Sequence, residues 1–287
     1  MVRVDLHLHS TYSDGKLTPE ELVAFCYSKG LRTIALSDHD STEGIQEGRR
    51  AACAQDIDLI PALELSASHK GLEIHLLGYF IDIEMKYLQD ILAEFRGERD
   101  SRGEKIIKNL SNDGVDLSWD KVRNLASGGS VGRPHIAQAL IEDGYVSSHR
   151  EAFDKYIGKS CPAFVERMLM DSKEALKLLR DCGGVSVLAH PLYWGLKSDR
   201  EDIPGLNNVV GQLIEHGLDG IEVYYGGYDE NQIKRLESIA KEFSLIPCGG
   251  TDYHAFGQVG EALPGDMGPP EEIIGMLKDR KHDMSIV

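Results

Sequence analysis

No two cysteines in this chain are spaced C-x-x-C. The five present, Cys26, Cys53, Cys161, Cys182 and Cys248, are scattered and odd in number, which reads as a set of reduced thiols rather than a disulfide framework. Basic charge is also scarce: 31 Lys and Arg stand against 47 Asp and Glu, a formal net charge of −16. Loose binding to a DNA duplex, to long nucleic acid or to an anionic membrane relies on basic patches, so the balance argues against all three. It leaves room for a local positive site built from metal ions. The N-terminus has no apolar leader, and no apolar run reaches the roughly 18 residues needed to span a bilayer. There is no internal repeat and no low-complexity tract. The expectation is a soluble cytoplasmic protein without a membrane partner; its oligomeric state is not legible.

What is present is alternation. At 287 residues and 41% hydrophobic content the chain can bury one large core, or a main domain with a smaller insertion. In the first segment Val2, Val4, Leu6 and Leu8 fall on one face of a predicted strand, and Arg3, Asp5, His7 and His9 on the other. Residues 18–30 then read as a helix, with Thr18 as N-cap, Pro19 in the first turn, Glu21 closing a capping box and Gly30 past the end. Further strands are predicted at 31–40, 58–67, 72–82, 183–191, 217–225 and 244–254. Helices are expected at 42–55 and at about 172–182, 204–216 and 229–243. Between about 84 and 160 the strand signal vanishes and the pattern is helical. The reading is an α/β protein: a distorted (β/α)7 barrel from residues 1–83 and 161–287, with a helical insertion at 84–160 that caps it. In such barrels the chemistry gathers at the carboxyl ends of the strands.

The coordinating residues fall where that rule directs attention. His9 ends the first strand and Asp14 lies in its loop. His39 follows the second strand, Glu64 lies at the end of the third and His75 inside the fourth. His190 ends the fifth, and Asp252 and His254 follow the last. Each has an ordinary reading by itself, as a core histidine, a turn aspartate or a polar strand end. The H-x-H step of His7 and His9 presents two rings to one ion. Together the nine residues place six of the eleven histidines on or just after strands. The remaining histidines read as ordinary, His69 among them as a loop residue; His135 either lines a pocket or caps its own helix.

The stretches "DLHLHSTYSDG", "LSDHD", "PALELS", "EIHLLGY", "LAHP" and "GGTDYH" resemble the PHP family, named for polymerase and histidinol phosphatase, over nearly the whole chain. The resemblance implies a distorted seven-stranded barrel with three divalent ions. His7, His9, Glu64 and Asp252 would hold the first ion. Glu64, His75 and His190 would hold the second, and Asp14, His39 and His254 the third. The "SDG", "SDHDSTEG" and "GRPHIA" forms are similar to the nucleotide phosphoesterase branch, which includes a 3′,5′-nucleotide bisphosphatase and a 5′-to-3′ exoribonuclease. Histidine-rich ligation with oxygen donors suits Mn, Fe or Zn. Three divalent ions against the carboxylates of Asp14, Glu64 and Asp252 and one bridging hydroxide leave a net charge of about +2, suited to a phosphomonoester dianion. The expected nucleophile is that metal-bridging hydroxide, held by Glu64, with no separate side-chain acid assigned. Asp5 and Asp38 either orient imidazoles or are solvated turn acids. Arg133, ahead of a helix-starting proline, is expected to clamp a phosphate, and Lys159 and His135 are further candidates for substrate contact. The expected substrate is a small phosphorylated nucleotide, chiefly a 3′,5′-bisphosphonucleotide, or a short single-stranded RNA end. Alternatives are a histidinol phosphatase or other small-molecule phosphatase, an amidohydrolase-type C–N hydrolase and a non-catalytic metal-binding module. No lysine stands where a carbamylated bridge would need one, and intact ligation speaks against the last.

Overall fold

The computed structural model describes residues 2–126, 128–193, 205–257 and 260–282. The strands are β1 (Val4–Leu8), β2 (Thr33–Leu36), β3 (Asp58–His69), β4 (Leu72–Tyr79), β5 (Met170–Asp171), β6 (Val185–Leu188), β7 (Gly220–Tyr225) and β8 (Ile246–Gly250). Seven of them form one path, β1-β2-β3-β4-β6-β7-β8, and the two-residue β5 pairs with β3. Pairing is parallel except at β4, which runs antiparallel to both neighbours. Helices α1 (Pro19–Ser28), α2 (Ile45–Ala54), α7 (Ser172–Asp181), α8 (Leu206–Glu215) and α9 (Glu230–Phe243) cover the outside. The predicted capping box of Thr18 and Glu21 opens α1. None of the described helices is long and apolar enough to cross a membrane.

Three details of this distorted barrel place the site. First, β3 and β4 are joined by no helix. Lys70 and Gly71, at φ of 51° and 83°, make a two-residue turn of the kind that closes a hairpin. The regular strand–helix alternation read from the sequence fails there. Second, β1 shifts register between Asp5 and Leu8. Val4 and Leu6 pack in the barrel interior, whereas Leu8 joins the layer between sheet and helices. The clean alternation read for this strand is thereby broken: an irregularity of this kind re-aims side chains beside a site. Third, the barrel closes at its seam through bonds just past the strands. Asp252 N–H donates to the His7 carbonyl at 2.9 Å, and His9 N–H to the Tyr253 carbonyl at 3.1 Å. A Cβ on Gly250 would lie 2.4 Å from His7 N, so only glycine permits this approach.

The intervening region is helical: α3 (Lys86–Asn112), α4 (Trp119–Leu125), α5 (Arg133–Glu142), α6 (His149–Ala152) and a π-helical turn over Phe153–Ile157. Its apolar cluster is separate and extends to Ala163 and Val165. The long α3 belongs to both bodies. Leu88 and Leu92 pack with the barrel layer, and Ile106, Ile107 and Leu110 with the helical cluster. The interior of the barrel is filled by side chains such as Leu6, Ile60, Leu77, Tyr79 and Val187, closed below by Ile273 and Leu277 of α10 (Glu272–Arg280).

Candidate metal centre

The nine sequence-selected residues converge at one end of the barrel. His75 lies near the start of β4, and because β4 runs backwards its start meets the carboxyl ends of the other strands. His39 lies beyond β2 and is held by continued pairing with β3, where Asp40 N–H donates to the Glu64 carbonyl at 3.0 Å. His190 and Asp252 adopt positive φ, 29° and 55°, a backbone cost that non-glycine residues bear mostly at functional sites.

The donor atoms form three groups around Glu64. In the first, His7 Nε2 lies 3.3 Å from Glu64 Oε2 and 3.2 Å from Asp252 Oδ1. His9 Nε2 lies 3.3 and 3.0 Å from the same two oxygens. Around Glu64 Oε1, His75 Nδ1 stands at 2.8 Å and His190 Nε2 at 2.9 Å. Around Asp14, His254 Nε2 stands at 3.2 Å from Oδ1 and His39 Nε2 at 3.9 Å from Oδ2. His39 also reaches Glu64 Oε2 through Nδ1 at 2.9 Å, so it stands between two groups. A tetrahedral ion with bonds of about 2.0–2.1 Å holds its donors roughly 3.3 Å apart, which the first group matches. His7 Nε2, His9 Nε2, Asp14 Oδ1, Glu64 Oε2 and Asp252 Oδ1 are buried with no hydrogen-bond partner. Buried polar atoms left in this state are costly, and cations would satisfy all of them.

The electrostatics agree. Burial drives the His39 ring down to about 4. For His7 burial acts the same way, but Asp252, Glu222 and Glu64 outweigh it and raise the ring well above its usual value. Burial pushes the carboxyls of Glu64 and Asp252 up, yet the surrounding imidazoles hold both well below the carboxylate range. Ionised carboxylates and imidazoles that bind either a proton or a metal are what a cation site requires.

Glu222 escaped the sequence reading. It is fully buried on β7. Its Oε1 lies 3.0 Å from His7 Nδ1, and its Oε2 accepts from His190 N–H at 2.7 Å. The signal was a single acid within the apolar strand "GIEVYY", which cannot be buried there without partners. Tyr225 was also missed; its hydroxyl donates to Asp252 Oδ2 at 2.9 Å. Asp5 touches no imidazole. It accepts from Thr251 N–H and Oγ1 at 3.0 and 2.7 Å and from His7 N–H at 3.2 Å, tying the seam together. Asp38 accepts from Ser10 and Ser13 hydroxyls, both at 2.6 Å, and Ser13 Oγ lies 3.5 Å from His9 Nδ1, so its influence on an imidazole passes through Ser13. His69 ends β3 rather than a loop, bonded to Ser172 and Gln212 at 2.9 and 2.8 Å.

Beside the donors opens a cleft of about 530 Å³, whose lining includes His75, His190, Arg133, Lys159, Phe164 and Tyr193. Arg133 and Lys159 thus share a cavity with one edge of the cluster. The Arg133 guanidinium lies 5.1 Å from the ring centre of Phe153 and 5.8 Å from that of Phe164. His135 does not line this cleft. Its Nδ1 accepts from Gly132 N–H at 3.0 Å, so between its two readings it caps its own helix.

Known proteins bear on this geometry. A family model described as the PHP domain matches residues 5–157. A 5′-3′ exoribonuclease of Haemophilus influenzae is 33% identical over 252 residues, covering 88% of this chain and 90% of the relative. A 3′,5′-nucleoside bisphosphate phosphatase of Chromobacterium violaceum is 28% identical over 274 residues, covering 95% and 93%. The crystal structure of a putative metal-dependent phosphoesterase from Bifidobacterium adolescentis superposes with a TM-score of 0.88 at 27% identity, over 98% of this chain and 97% of that one.

Proposed function

The chain belongs to the PHP family and is a metal-dependent phosphoesterase, and from that premise we propose that it hydrolyses nucleotides carrying two phosphates. The substrates are 3′,5′-bisphosphonucleotides, cut to a 5′-mononucleotide and phosphate, and 5′-phosphorylated ends of short single-stranded RNA. One observation carries the reading: His75 and His190 of the donor cluster line the same cleft as Arg133 and Lys159. The cleft offers places for two phosphates at a fixed separation. The names of the two relatives, an exoribonuclease and a nucleoside bisphosphate phosphatase, support the same pair of substrates. The helices of residues 84–160 serve as the cap of the barrel of 1–83 and 161–287, and a capped cleft suits a small ligand or a strand end. The scattered free thiols suit the cytoplasm.

In this reading His7, His9, Glu64 and Asp252 hold one ion, Glu64, His75 and His190 a second, and Asp14, His39 and His254 a third, with Mn, Fe or Zn as the metal. Such ions supply Lewis acidity and an activated water at neutral pH. The chain's own groups do the positioning. Glu222 holds His7 by Nδ1 and leaves Nε2 for the centre. Tyr225 holds Oδ2 of Asp252 and leaves Oδ1. The Arg133 guanidinium, bidentate by nature, holds the phosphate that is not cut, with Lys159 beside it.

The test compares kcat/KM on adenosine 3′,5′-bisphosphate, a 5′-phosphorylated oligoribonucleotide and histidinol phosphate, with manganese present. The two-phosphate substrates should lead. Histidinol phosphate as the best substrate would replace this reading by that of a histidinol phosphatase.

A further inference from the structure

A second concentration of charge lies between α3 and the segment of residues 165–168. A small cavity there is lined by Ser66, Arg99, Arg102, Lys105, Arg167 and Met168, among others. Arg99 and Arg167 are committed to Asp40: Arg99 donates to Oδ2 through Nε at 2.9 Å and Nη2 at 2.7 Å, and Arg167 pairs with the same oxygen. Arg102 is different. Its Nε donates to the Val165 carbonyl at 2.8 Å, and its guanidinium lies 5.7 Å from the ring centre of Phe164. Among the described residues no carboxylate lies within ion-pair distance of it.

A second sign is independent of the first. Ser66 is 1% exposed, and its hydroxyl is buried without a hydrogen-bond partner. Alternation along β3 puts Ser66 on the face that carries Glu64, one step beyond the metal centre. Glu98 and Glu166 also line the cavity, but neither is ion-paired with Arg102. A guanidinium without an ion pair and a buried hydroxyl without a partner share this space, and an oxyanion would answer both. The position is unfavourable for Arg102 as it stands: burial first, then Arg133 and Arg167, push it down to about 9. In a chain of net charge −16 this local excess is against the overall trend.

We propose that this cavity holds a phosphodiester of the continuing strand of an oligonucleotide, outside the nucleotide being cut, with Arg102 and Ser66 as its donors. The proposal rests on the nucleotide phosphoesterase reading above and goes beyond it. A bisphosphonucleotide has two phosphates, and the cleft already provides for both. A strand brings more. The cavity adjoins the cleft, since Glu166 and Arg167 line both. It meets solvent beside Lys105 and Met168, the latter 50% exposed.

The experiment measures kcat and KM of wild type, Arg102→Gln and Ser66→Ala on a 5′-phosphorylated pentaribonucleotide and on adenosine 3′,5′-bisphosphate over a range of salt. For Arg102→Gln, KM for the pentamer should rise by about tenfold more than KM for the bisphosphate. The slope of log KM against log salt for the pentamer should shrink by about 0.7, the share of one single-strand phosphate contact. Ser66→Ala should weaken the pentamer selectively with no loss of Tm, because its hydroxyl has no partner to lose. Equal losses on both substrates, or on neither, overturn the proposal while the phosphoesterase reading stands. So does relief of inhibition by inorganic phosphate with pentamer KM unchanged, which would make the cavity a site for free phosphate. A wild type that turns over neither substrate sinks the underlying reading instead.

Discussion

Glu222 controls two atoms at once, the Nδ1 of His7 and the backbone N–H of His190. Changing it to glutamine keeps one acceptor oxygen and turns the other position into a donor, so one of the two contacts fails. Outer partners of metal-binding histidines typically carry 10–100-fold in affinity. Glu222→Gln should therefore need about that much more manganese to reach half-maximal activity and recover most of its rate at saturation; loss that excess metal leaves unchanged would make Glu222 a fold residue only. Asp40 offers a stability test. Its carboxyl, buried yet held by Arg99 and Arg167, falls from 3.8 to about 2. A depressed carboxyl contributes stability that is fully present above its unfolded value near pH 4 and is lost as pH falls through 2. Asp40→Asn leaves the buried Arg99 without its carboxylate and Arg167 with only Glu73, at 3.6 Å, at a cost of about 3–5 kcal/mol near neutrality. Urea titrations should show the gap between variant and wild type narrowing below pH 4. At this scale the sequence was legible where residue types cluster: H-x-H, "SDHD" and "TDYH" point to coordination when taken together, although "SDHD" and "TDYH" also read as turn chemistry alone. It was opaque for Glu222, a lone acid whose two partners lie 215 and 32 residues away, and for Asp5, whose neighbour in sequence suggested an imidazole while its partner is Thr251.

At the scale of elements, the β3–β4 hairpin decides where His75 points. Pairing sets Ser66 opposite His75 and Glu64 opposite Leu77, and a slip of one residue would turn His75 to the other face. The register begins at Lys70 and Gly71. A left-handed backbone costs an L-residue roughly 1–2 kcal/mol, so Gly71→Val should lower unfolding free energy by about that amount in urea, since a Cβ there would have no neighbour within 4 Å. Lys70→Gly, which removes the same cost, should be neutral or stabilising; a destabilised Lys70→Gly would mean that the turn is not the source of the effect. The strands and long helices were legible from periodicity. The two strands of the hairpin were read as consecutive, but its two-residue turn and the antiparallel run of β4 were not legible, because K-G is a weaker turn signal than N-G or D-G. Neither was the shift in β1, which leaves the apolar alternation of the sequence intact and changes only where Leu8 goes. The helices α4 and α10 and the two-residue β5 were too short or too polar in pattern to announce themselves.

At the scale of the whole molecule, the donors come from β1, β3, β4 and the ends of β2, β6 and β8, and they gather where the barrel closes. The seam between β1 and β8 is held by few bonds, among them those of Asp252, His9 and Asp5. Ions bound by His7, His9 and Asp252 would cross-link that seam. Removing them leaves buried imidazoles and carboxylates facing one another with nothing between. An ion at 100 times its dissociation constant stabilises by about 2.7 kcal/mol, and in a chain of this size each kcal/mol is worth roughly 2–4 °C. Chelation should thus lower Tm by on the order of 10 °C or more, reversibly on adding manganese. The loss should also be local. The helical cluster of Ile106, Leu110, Ile136 and Leu140 lies in its own apolar body and contains none of the donor residues. Hydrogen exchange on chelated protein should accelerate at residues 5–9 and 246–254 while protection over 106–112 and 135–141 changes little and far-UV circular dichroism is retained. Equal acceleration in both regions would mean that barrel and helical layer unfold as one unit, and that α3, rooted in both cores, transmits the loss from one to the other.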